Sequence, residues 1–148
     1  MTLASTLSAV QSFIIDNFDF DEDTCRIEDE GIFDFIQTRS HVEQKAALLV
    51  FGGGISDNAN VEFGAITMGW SVDCHFFFRI SSTDLQHYSA LARDMVDDFI
   101  LSVAPDSTLG NTVLHSYISN VEPIALMERG KFSYYWVPIS IVVVDNIS

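Results

Sequence analysis

Residues 70–103 decide the fold of this chain, and they read WSVDCHFFFRISSTDLQHYSALARDMVDDFILSV. In residues 70–80 every second side chain is apolar, which is the period of a β-strand with one apolar face. This apolar row consists of Trp70, Val72, Cys74, Phe76, Phe78 and Ile80. From Asp84 to Val103 the apolar residues recur at helical spacing instead, with charged residues on the opposite face. A one-faced strand that leads into a one-faced helix predicts that the helix lies on a sheet.

The rest of the chain predicts further helices and strands around this unit. Thr83 and Gln86 have the spacing of a capping box at the start of the long helix. The other predicted elements are a helix from Leu3 to Asn17, strands at Thr24 to Ile27, Ile32 to Arg39, Gln44 to Phe51, Thr112 to Val121, Ala125 to Glu128 and Phe132 to Val144, a long loop from Gly52 to about Ala65, and a tight turn at Arg129-Gly130. This order predicts an α+β fold in a single domain of 148 residues. We expect a mostly antiparallel sheet with an N-terminal helix and one long amphipathic helix packed on one face.

The last predicted strand is largely apolar on both faces, with Tyr135 and Val137 on one face and Trp136 and Val142 on the other. Such a strand is either covered on both sides or covered once and used at a subunit contact. Pro138 lies within it and has no N–H to donate, so it predicts a sheet edge or a bulge.

The composition indicates a strongly acidic chain with a sizeable core. Hydrophobic residues make up 48%, including 12 Phe, which argues against disorder despite a net charge of -14. The chain has only seven Lys and Arg residues, and a protein that grips phosphates needs such residues in clusters. Attraction to nucleic acid is therefore disfavoured. The acidity either keeps an apolar protein soluble or prevents adhesion to DNA.

The sequence predicts neither a secretory signal nor a membrane span. The first basic residue is Arg26, so the charged start of a signal peptide is missing. No uncharged run reaches the ~18 residues that a membrane span needs. Cys25 and Cys74 have neither metal nor redox spacing, so we expect a cytoplasmic protein with free thiols.

The acidic segment, Asp19–Asp23, is the best candidate for a metal site. Together with Glu30, its acidic residues have the ligand spacing of a calcium-binding EF-hand loop. Thr24 stands where that loop needs glycine, however, and Arg26 stands where a small apolar residue usually packs. The alternative is a solvated acidic loop, and no metal ligand is assigned.

The remaining motifs predict no enzymatic chemistry and no cofactor. Gly52-Gly53-Gly54 follows a strand as phosphate loops do, but no Gly-Lys-Ser/Thr follows it. His41-Val42-Glu43 matches half of a zinc-deaminase signature, and the Pro-Cys-x-x-Cys half is absent. His75 lies beside Asp73 on the polar strand face, where we expect a surface or hydrogen-bonded histidine. We therefore predict a protein without catalytic residues.

The order and lengths of these elements resemble those of the tail terminator (tail completion) proteins of long-tailed bacteriophages. The matching features are the helix Leu3 to Asn17, the strand Gln44 to Phe51 with its long loop, the strand Met68 to Ile80, the helix Asp84 to Val103 and the closing hairpin that ends at Val144. The resemblance implies a structural virion protein that forms a homo-oligomeric ring, typically a hexamer. Such a ring assembles in the host cytoplasm, caps the finished tail tube, ends tail polymerisation and provides the face to which the head docks.

The resemblance also implies partners, namely the tail tube protein and a head–tail connector protein, with DNA only in passage and no membrane. A closed ring needs two different contact patches per subunit, and the predicted ones are the last strand and the Gly52 loop. The predicted interface residues are Gly52, Gly53, Gly54, Ile55, Val61, Phe63 and Trp136. The predicted acidic lining of the DNA channel consists of Asp19, Asp21, Glu22 and Asp23, because an acidic lumen repels phosphates.

Two other functions fit the sequence. One is a head–tail joining ring protein, which co-assembles with portal complexes rather than with tail tubes. The other is a monomeric ligand-binding module, in which Trp70, Phe76 and Phe78 line an apolar pocket that binds one lipid-like molecule.

Overall fold

The computed structural model describes residues 2–29, 31–32, 45–62, 65–80, 83–105, 108–110, 112–113 and 115–147, and of 55–62, 65–66 and 146–147 it describes the backbone alone. The helices are α1 (Leu3–Asn17) and α2 (Leu85–Val103). The strands are β1 (Cys25–Ile27), β2 (Lys45–Glu62), β3 (Ala65–Ile80), β4 (His115–Val121), β5 (Ala125–Arg129) and β6 (Phe132–Ile147). The predicted α+β class is confirmed.

The six strands form one sheet in the order β1-β2-β3-β6-β4, and β5 also pairs with β6. Every pair is antiparallel except β1 with β2. β3 and β6 are the central strands and pair from Ile66 with Ile147 to Ile80 with Ser133. The mostly antiparallel sheet is therefore as predicted.

Both helices pack on the same face of the sheet and form the main core with it. The predicted alternation in β3 is confirmed, since Val72, Cys74 and Phe76 are fully buried under the helices. Phe99 of α2 is 0% exposed, and its ring centroid lies 5.6 Å from that of Phe76 and 6.3 Å from that of Phe13. Aromatic edges and faces thus join both helices to the sheet. Within the described residues, no helix is long and apolar enough to cross a membrane.

Each helix begins directly after an N-capping residue, and the capping residue of α2 differs from the prediction. Thr2 caps α1, and its hydroxyl accepts a hydrogen bond of 3.2 Å from the Ser5 N–H. Asp84 rather than Thr83 caps α2, because its carboxylate accepts from the His87 N–H at 3.2 Å. The capping-box spacing therefore placed the start of α2 one residue early.

The predicted loop from Gly52 to Ala65 is wrong. β2 continues through the glycines to Glu62 and β3 begins at Ala65, so the two strands form one long hairpin. Gly53 pairs with Ser71 and Asp57 pairs with Thr67. Backbone hydrogen bonds to β3 extend this strand without the apolar alternation on which a sequence prediction depends.

Three further predictions concern single segments of the chain. β4 begins at His115 rather than Thr112, because Thr112 and Val113 donate backbone hydrogen bonds to the Thr108 carbonyl in a turn. Of the predicted strand at Ile32 to Arg39, Ile32 is buried and residues 33–39 lie outside the described part. The turn at Gly130, with φ of 64°, is confirmed.

Pro138 does not mark a sheet edge, since β6 lies between β3 on one side and β4 and β5 on the other. The partner of β6 changes from β4 at Ile139 to β5 at Trp136, and Pro138 occupies the position between them. Its carbonyl accepts a hydrogen bond of 3.1 Å from the Glu122 N–H. The proline therefore lies between the end of β4 and the start of β5, where neither of these two strands needs a donor from β6.

Candidate functional site

The sheet face opposite the helices is the candidate functional surface, and we call it the open face. Near the start of β6 a small hydrophobic cluster covers it, in which Ile32 packs with Leu48, Phe77 and Tyr134. Further along β3 the open face carries His75, Asp73, Ser71 and then Gly69, because side chains alternate along a strand. The face thus changes from aromatic to polar and then to small residues.

Two hydrogen bonds join β3 to β6 across the polar part of the open face. The Trp136 indole Nε1 donates to His75 Nδ1 at 3.0 Å, and the Ser140 hydroxyl donates to Asp73 Oδ1 at 2.8 Å. Burial lowers the pKa of His75, and the nearby Asp73 and Glu122 oppose that shift. His75 is therefore hydrogen-bonded, as the sequence indicated.

This polar group lacks the arrangement of a hydrolytic triad. The Ser140 hydroxyl gives its hydrogen directly to the Asp73 carboxylate, and Trp136 occupies Nδ1 of the imidazole. In a catalytic triad the serine instead donates to the histidine, whose other nitrogen donates to the carboxylate. The contacts seen here fix the position of β6 against β3.

Beyond the polar part, the open face contains a groove of about 490 Å³. Its lining residues are Gly52, Gly53, Gly54, Thr67, Gly69, Ser71, Tyr117, Val142 and Val144. The groove has small residues along β2 and β3 and apolar side chains on β4 and β6. Tyr117 at its rim is 47% exposed, so the groove is accessible from solvent.

Each of the three glycines beside the groove occupies a position where a larger residue would not fit, or where the backbone disfavours one. A Cβ on Gly52 would lie 2.9 Å from Asp73 Oδ2, and a Cβ on Gly54 would lie 2.8 Å from Trp70 Cε3. Gly53 has a φ of +117°, which L side chains rarely adopt. The side chains of Asp73 and Trp70 therefore occupy the space that a Cβ on Gly52 or Gly54 would need. Gly53 accommodates a bulge between β2 and β3.

The predicted interface residues lie at two separate places on the sheet. Gly52, Gly53 and Gly54 lie at the groove, whereas Trp136 pairs with Phe77, six residues from Ser71 along β3. At about 3.4 Å per residue these positions are roughly 20 Å apart. The backbones of Ile55 and Val61 belong to β2, their side chains lie outside the description, and Phe63 lies outside the described residues.

The acidic segment lies between α1 and β1, and its members have different environments. Asp19 contacts Lys45, with 3.5 Å between Oδ2 and Nζ. The Asp21 carboxylate holds a turn, since Oδ1 accepts from the Asp23 N–H at 3.0 Å and from the Thr24 N–H at 2.9 Å. Glu22 and Asp23 are exposed. Whether these residues line a DNA channel stays a prediction.

The calcium hypothesis receives no support from this geometry. Among the described residues no group of three or more His, Cys, Asp or Glu side chains is placed to hold a metal ion. Asp21 Oδ1 accepts hydrogen bonds from the N–H and the hydroxyl of Thr24. Glu30, the twelfth position of the predicted loop, lies outside the described residues.

The apolar pocket of the ligand-binding alternative is absent from its predicted place. Phe76 is fully buried and Phe78 is nearly so, and both belong to the core under the helices. The Phe76 ring packs against Phe20 and Phe99, with centroids 5.9 and 5.6 Å away. The alternation that placed these residues on one strand face could not distinguish a pocket wall from a core.

Both cysteines are free, as predicted, and both are buried. Burial raises the pKa of the Cys25 thiol to about 12, and burial also raises the pKa of Cys74 well above its usual range. Because the thiolate is the reactive form, neither cysteine is a nucleophile at neutral pH.

Comparison with known proteins identifies no family for this chain. No protein-family model matches the chain, and no curated protein matches it.

Proposed function

We propose that this chain is a structural virion protein of a phage tail, which assembles with copies of itself into a hexameric ring. The ring caps the tail tube, ends its polymerisation and presents the face to which the head docks. The observation that carries the proposal is the division of the sheet into a helix-packed face and an open face, beside a long strand edge to which no described strand is paired.

This edge belongs to β2. β1 pairs with β2 only from Ala47 to Leu49, and among the described residues no strand pairs with the outer side of β2 from Val50 to Glu62. The groove of the open face begins at this edge, at Gly52. A strand edge without a described strand partner and an accessible groove are surfaces to which other polypeptide chains can bind.

The order of elements supports the same proposal. α1, α2 and the β5–β6 hairpin occur in the order that the sequence predicts, although the predicted loop from Gly52 to Ala65 is a strand hairpin. The partners of the proposed ring are the tail tube protein on one side and a head–tail connector protein on the other, and DNA passes through without being held. This role requires shape and contact surfaces rather than a reactive group.

Native mass measured over a wide concentration series, followed by negative-stain imaging, tests the proposal. We expect a closed ring with a central hole, and rings seated on the ends of tail tubes when the tube protein is added. A monomer at every concentration, together with tube ends that remain bare, would contradict the proposed function. Rings that bind portal complexes instead of tubes would assign the protein to the head–tail joint.

A second candidate is a monomeric ligand-binding module, and the groove is the observation that favours it. A volume of about 490 Å³ is within the range of small-molecule sites, and Tyr117, Val142 and Val144 give it apolar walls. One-to-one binding of a lipid-like dye, lost on Val142→Asp substitution, supports this candidate. Unchanged dye fluorescence at all protein concentrations excludes it.

A further inference from the structure

We infer that the groove of the open face binds a small organic cation, namely a primary ammonium ion joined by a short chain to an aromatic ring. This inference does not depend on the proposed ring, and it names a ligand class for the groove that the second candidate function uses. Three features support it: the shape of the groove, a carboxylate at one end of it and a tyrosine ring at the other.

The groove has the size and the walls of a small-molecule site. Its volume of about 490 Å³ lies within the range of ligand pockets, in which a few polar groups stand among apolar walls. Gly53 and Gly69 have no side chains, so a ring can approach the backbone of β2 and β3 closely. Val142 and Val144 supply apolar contacts from β6.

The carboxylate of Asp73 lies at the end of the groove that borders the polar part of the open face. Asp73 follows the lining residue Ser71 on the same face of β3. Its Oδ2 lies 2.9 Å from the position that a Cβ on Gly52, another lining residue, would take. Because Gly52 has no side chain, the carboxylate occupies that place and gives the groove a negatively charged end.

The described residues do not balance the charge of Asp73. The Ser140 hydroxyl donates to Oδ1 at 2.8 Å, but no described residue donates to Oδ2 or forms an ion pair with this carboxylate. Burial lowers the pKa of His75, and its Nδ1 accepts the hydrogen bond of Trp136, so the neutral imidazole adds no positive charge. Oδ2 is therefore available to a cationic donor.

The charged side chains around this end of the groove favour a cation as well. Among the described residues that line the groove, none is Lys or Arg. Arg26, opposite Leu48 on β2, contacts Asp29 instead, with 3.0 Å between Nη1 and Oδ2. Glu122 adds negative charge, as its effect on the pKa of His75 indicates. A ligand with a positive group gains a charge-assisted hydrogen bond here, whereas an anion is repelled.

Tyr117 forms the other end of the groove. Its phenol is 47% exposed, and the His115 ring packs against it with 5.7 Å between centroids. Tyr117 lies in register with Val142 and Ser71, so spacings of about 4.8 Å between strands and 3.4 Å per residue put its Cα roughly 12 Å from that of Asp73. Since both side chains extend toward the groove, one small molecule can span the remaining gap. Its ring packs against Tyr117, and the tyrosine face also attracts the positive charge.

The same features select an organic cation over two other kinds of ligand. A metal ion needs several oxygen ligands, and among the described residues no group of three or more acidic, His or Cys side chains is placed to supply them. A neutral apolar molecule would fill the groove but would leave Oδ2 of Asp73 without a donor.

Titration with two matched probes tests the inference without any change to the protein. Phenethylammonium carries the inferred groups, and phenethyl alcohol has the same ring and chain without the charge. We expect the ammonium to bind the unmodified chain at least about tenfold more tightly than the alcohol, since hydrogen bonds between charged groups are the strong ones. In amide NMR spectra the largest shifts should occur at Gly53, Gly69 and Ser71.

Two variants and a control assign the binding to the groove. Asp73→Asn keeps an oxygen for the Ser140 hydroxyl but removes the charge, so it should abolish the preference for the ammonium and leave binding of the alcohol unchanged. Tyr117→Leu should weaken binding of both probes. Asp97→Asn, exposed on α2, makes the same change in net charge and should leave both affinities unchanged.

Several results would overturn the inference. Equal affinities of the unmodified chain for the two probes would show that Asp73 does not select a cation. An equal loss in Asp73→Asn and Asp97→Asn would assign the preference to the general attraction of an acidic chain. Native mass of the same samples separates this inference from the proposed function. Rings that do not bind the ammonium overturn the inference alone, whereas a monomer that binds it supports the inference and counts against the ring.

Discussion

The indole of Trp136 donates its hydrogen bond to Nδ1 of His75, with 3.0 Å between the two nitrogens. This contact requires the neutral imidazole with its hydrogen on Nε2, because an imidazolium carries a hydrogen on both nitrogens. Protonation of His75 would set two N–H donors against each other. The hydrogen bond therefore makes the junction of β3 and β6 sensitive to pH.

Acidification is expected to destabilise the protein through His75. Its pKa is lowered from 6.5 by burial, so below about pH 6.5 the unfolded chain takes up a proton more readily than the folded protein does. The stability due to neutral His75 is complete above that pH and is lost as the pH falls through the folded-state pKa. The free energy of unfolding in urea should therefore decline from pH 7.5 to pH 5.

His75→Asn is the control for this prediction. Its side-chain oxygen can take the place of Nδ1 as acceptor for Trp136, and it does not titrate. The variant should show a smaller decline in the same pH range. Equal declines for the variant and the unmodified chain would assign the effect to other groups.

Gly54→Ala is expected to lower the free energy of unfolding by about 1–2 kcal/mol, as overpacking does. The new Cβ would lie 2.8 Å from Trp70 Cε3, so the indole or the strand must move. Chemical denaturation of the variant measures the loss. In a Trp70→Ala background the same substitution should have little effect, and full additivity of the two changes would contradict the steric explanation.

Asp21→Ala is expected to destabilise the connection between α1 and β1 by about 1 kcal/mol, a typical net value for lost hydrogen bonds. The Asp21 carboxylate accepts from two backbone N–H groups and from the Thr24 hydroxyl. Glu22→Ala, one residue away and exposed, should leave the melting temperature unchanged. Equal stability losses for the two variants would show that charge, not the turn, matters at this segment.

The two thiols are expected to resist labelling in the folded protein. Burial raises the pKa of Cys25 to about 12, so almost no thiolate forms at pH 8. A disulfide reagent should therefore react slowly under native conditions and rapidly with both cysteines in urea. Rapid reaction of one thiol in native buffer would reveal an opening of the core, which Cys25→Ser and Cys74→Ser would assign to a strand.

The sequence predicts the fold class and core because those follow from local periodicity. α1 ends at Asn17 as predicted, and the β3 residues of the core under the helices, Val72, Cys74, Phe76 and Phe78, occupy alternate positions. The sequence does not predict the long β2–β3 hairpin, because the glycines and polar residues in the second half of β2 are typical of a loop. Their role as strand residues depends on Asp73 and Trp70, which lie opposite them on β3.

The candidate site was only partly predictable for the same reason. Strand alternation places Asp73 and His75 together on the polar face, and this much is visible in the sequence. Their partners Ser140 and Trp136 come from β6, more than sixty positions later in the chain. Only the register between β3 and β6 brings these residues together, and hydrophobic patterning fixes the face of each residue rather than its partner on the next strand.

The central position of β6 governs the order in which this protein is completed during synthesis. β3 pairs with β6 from Ile66 to Ile80, yet β6 follows every other described strand in the chain. Until residue 147 emerges, one edge of β3 remains unpaired and the row from Val72 to Phe78 lacks its neighbours in β6. An unpaired edge of this length is a site of aggregation for nascent chains. Slow translation of β6 therefore prolongs the period in which this edge can pair with another chain.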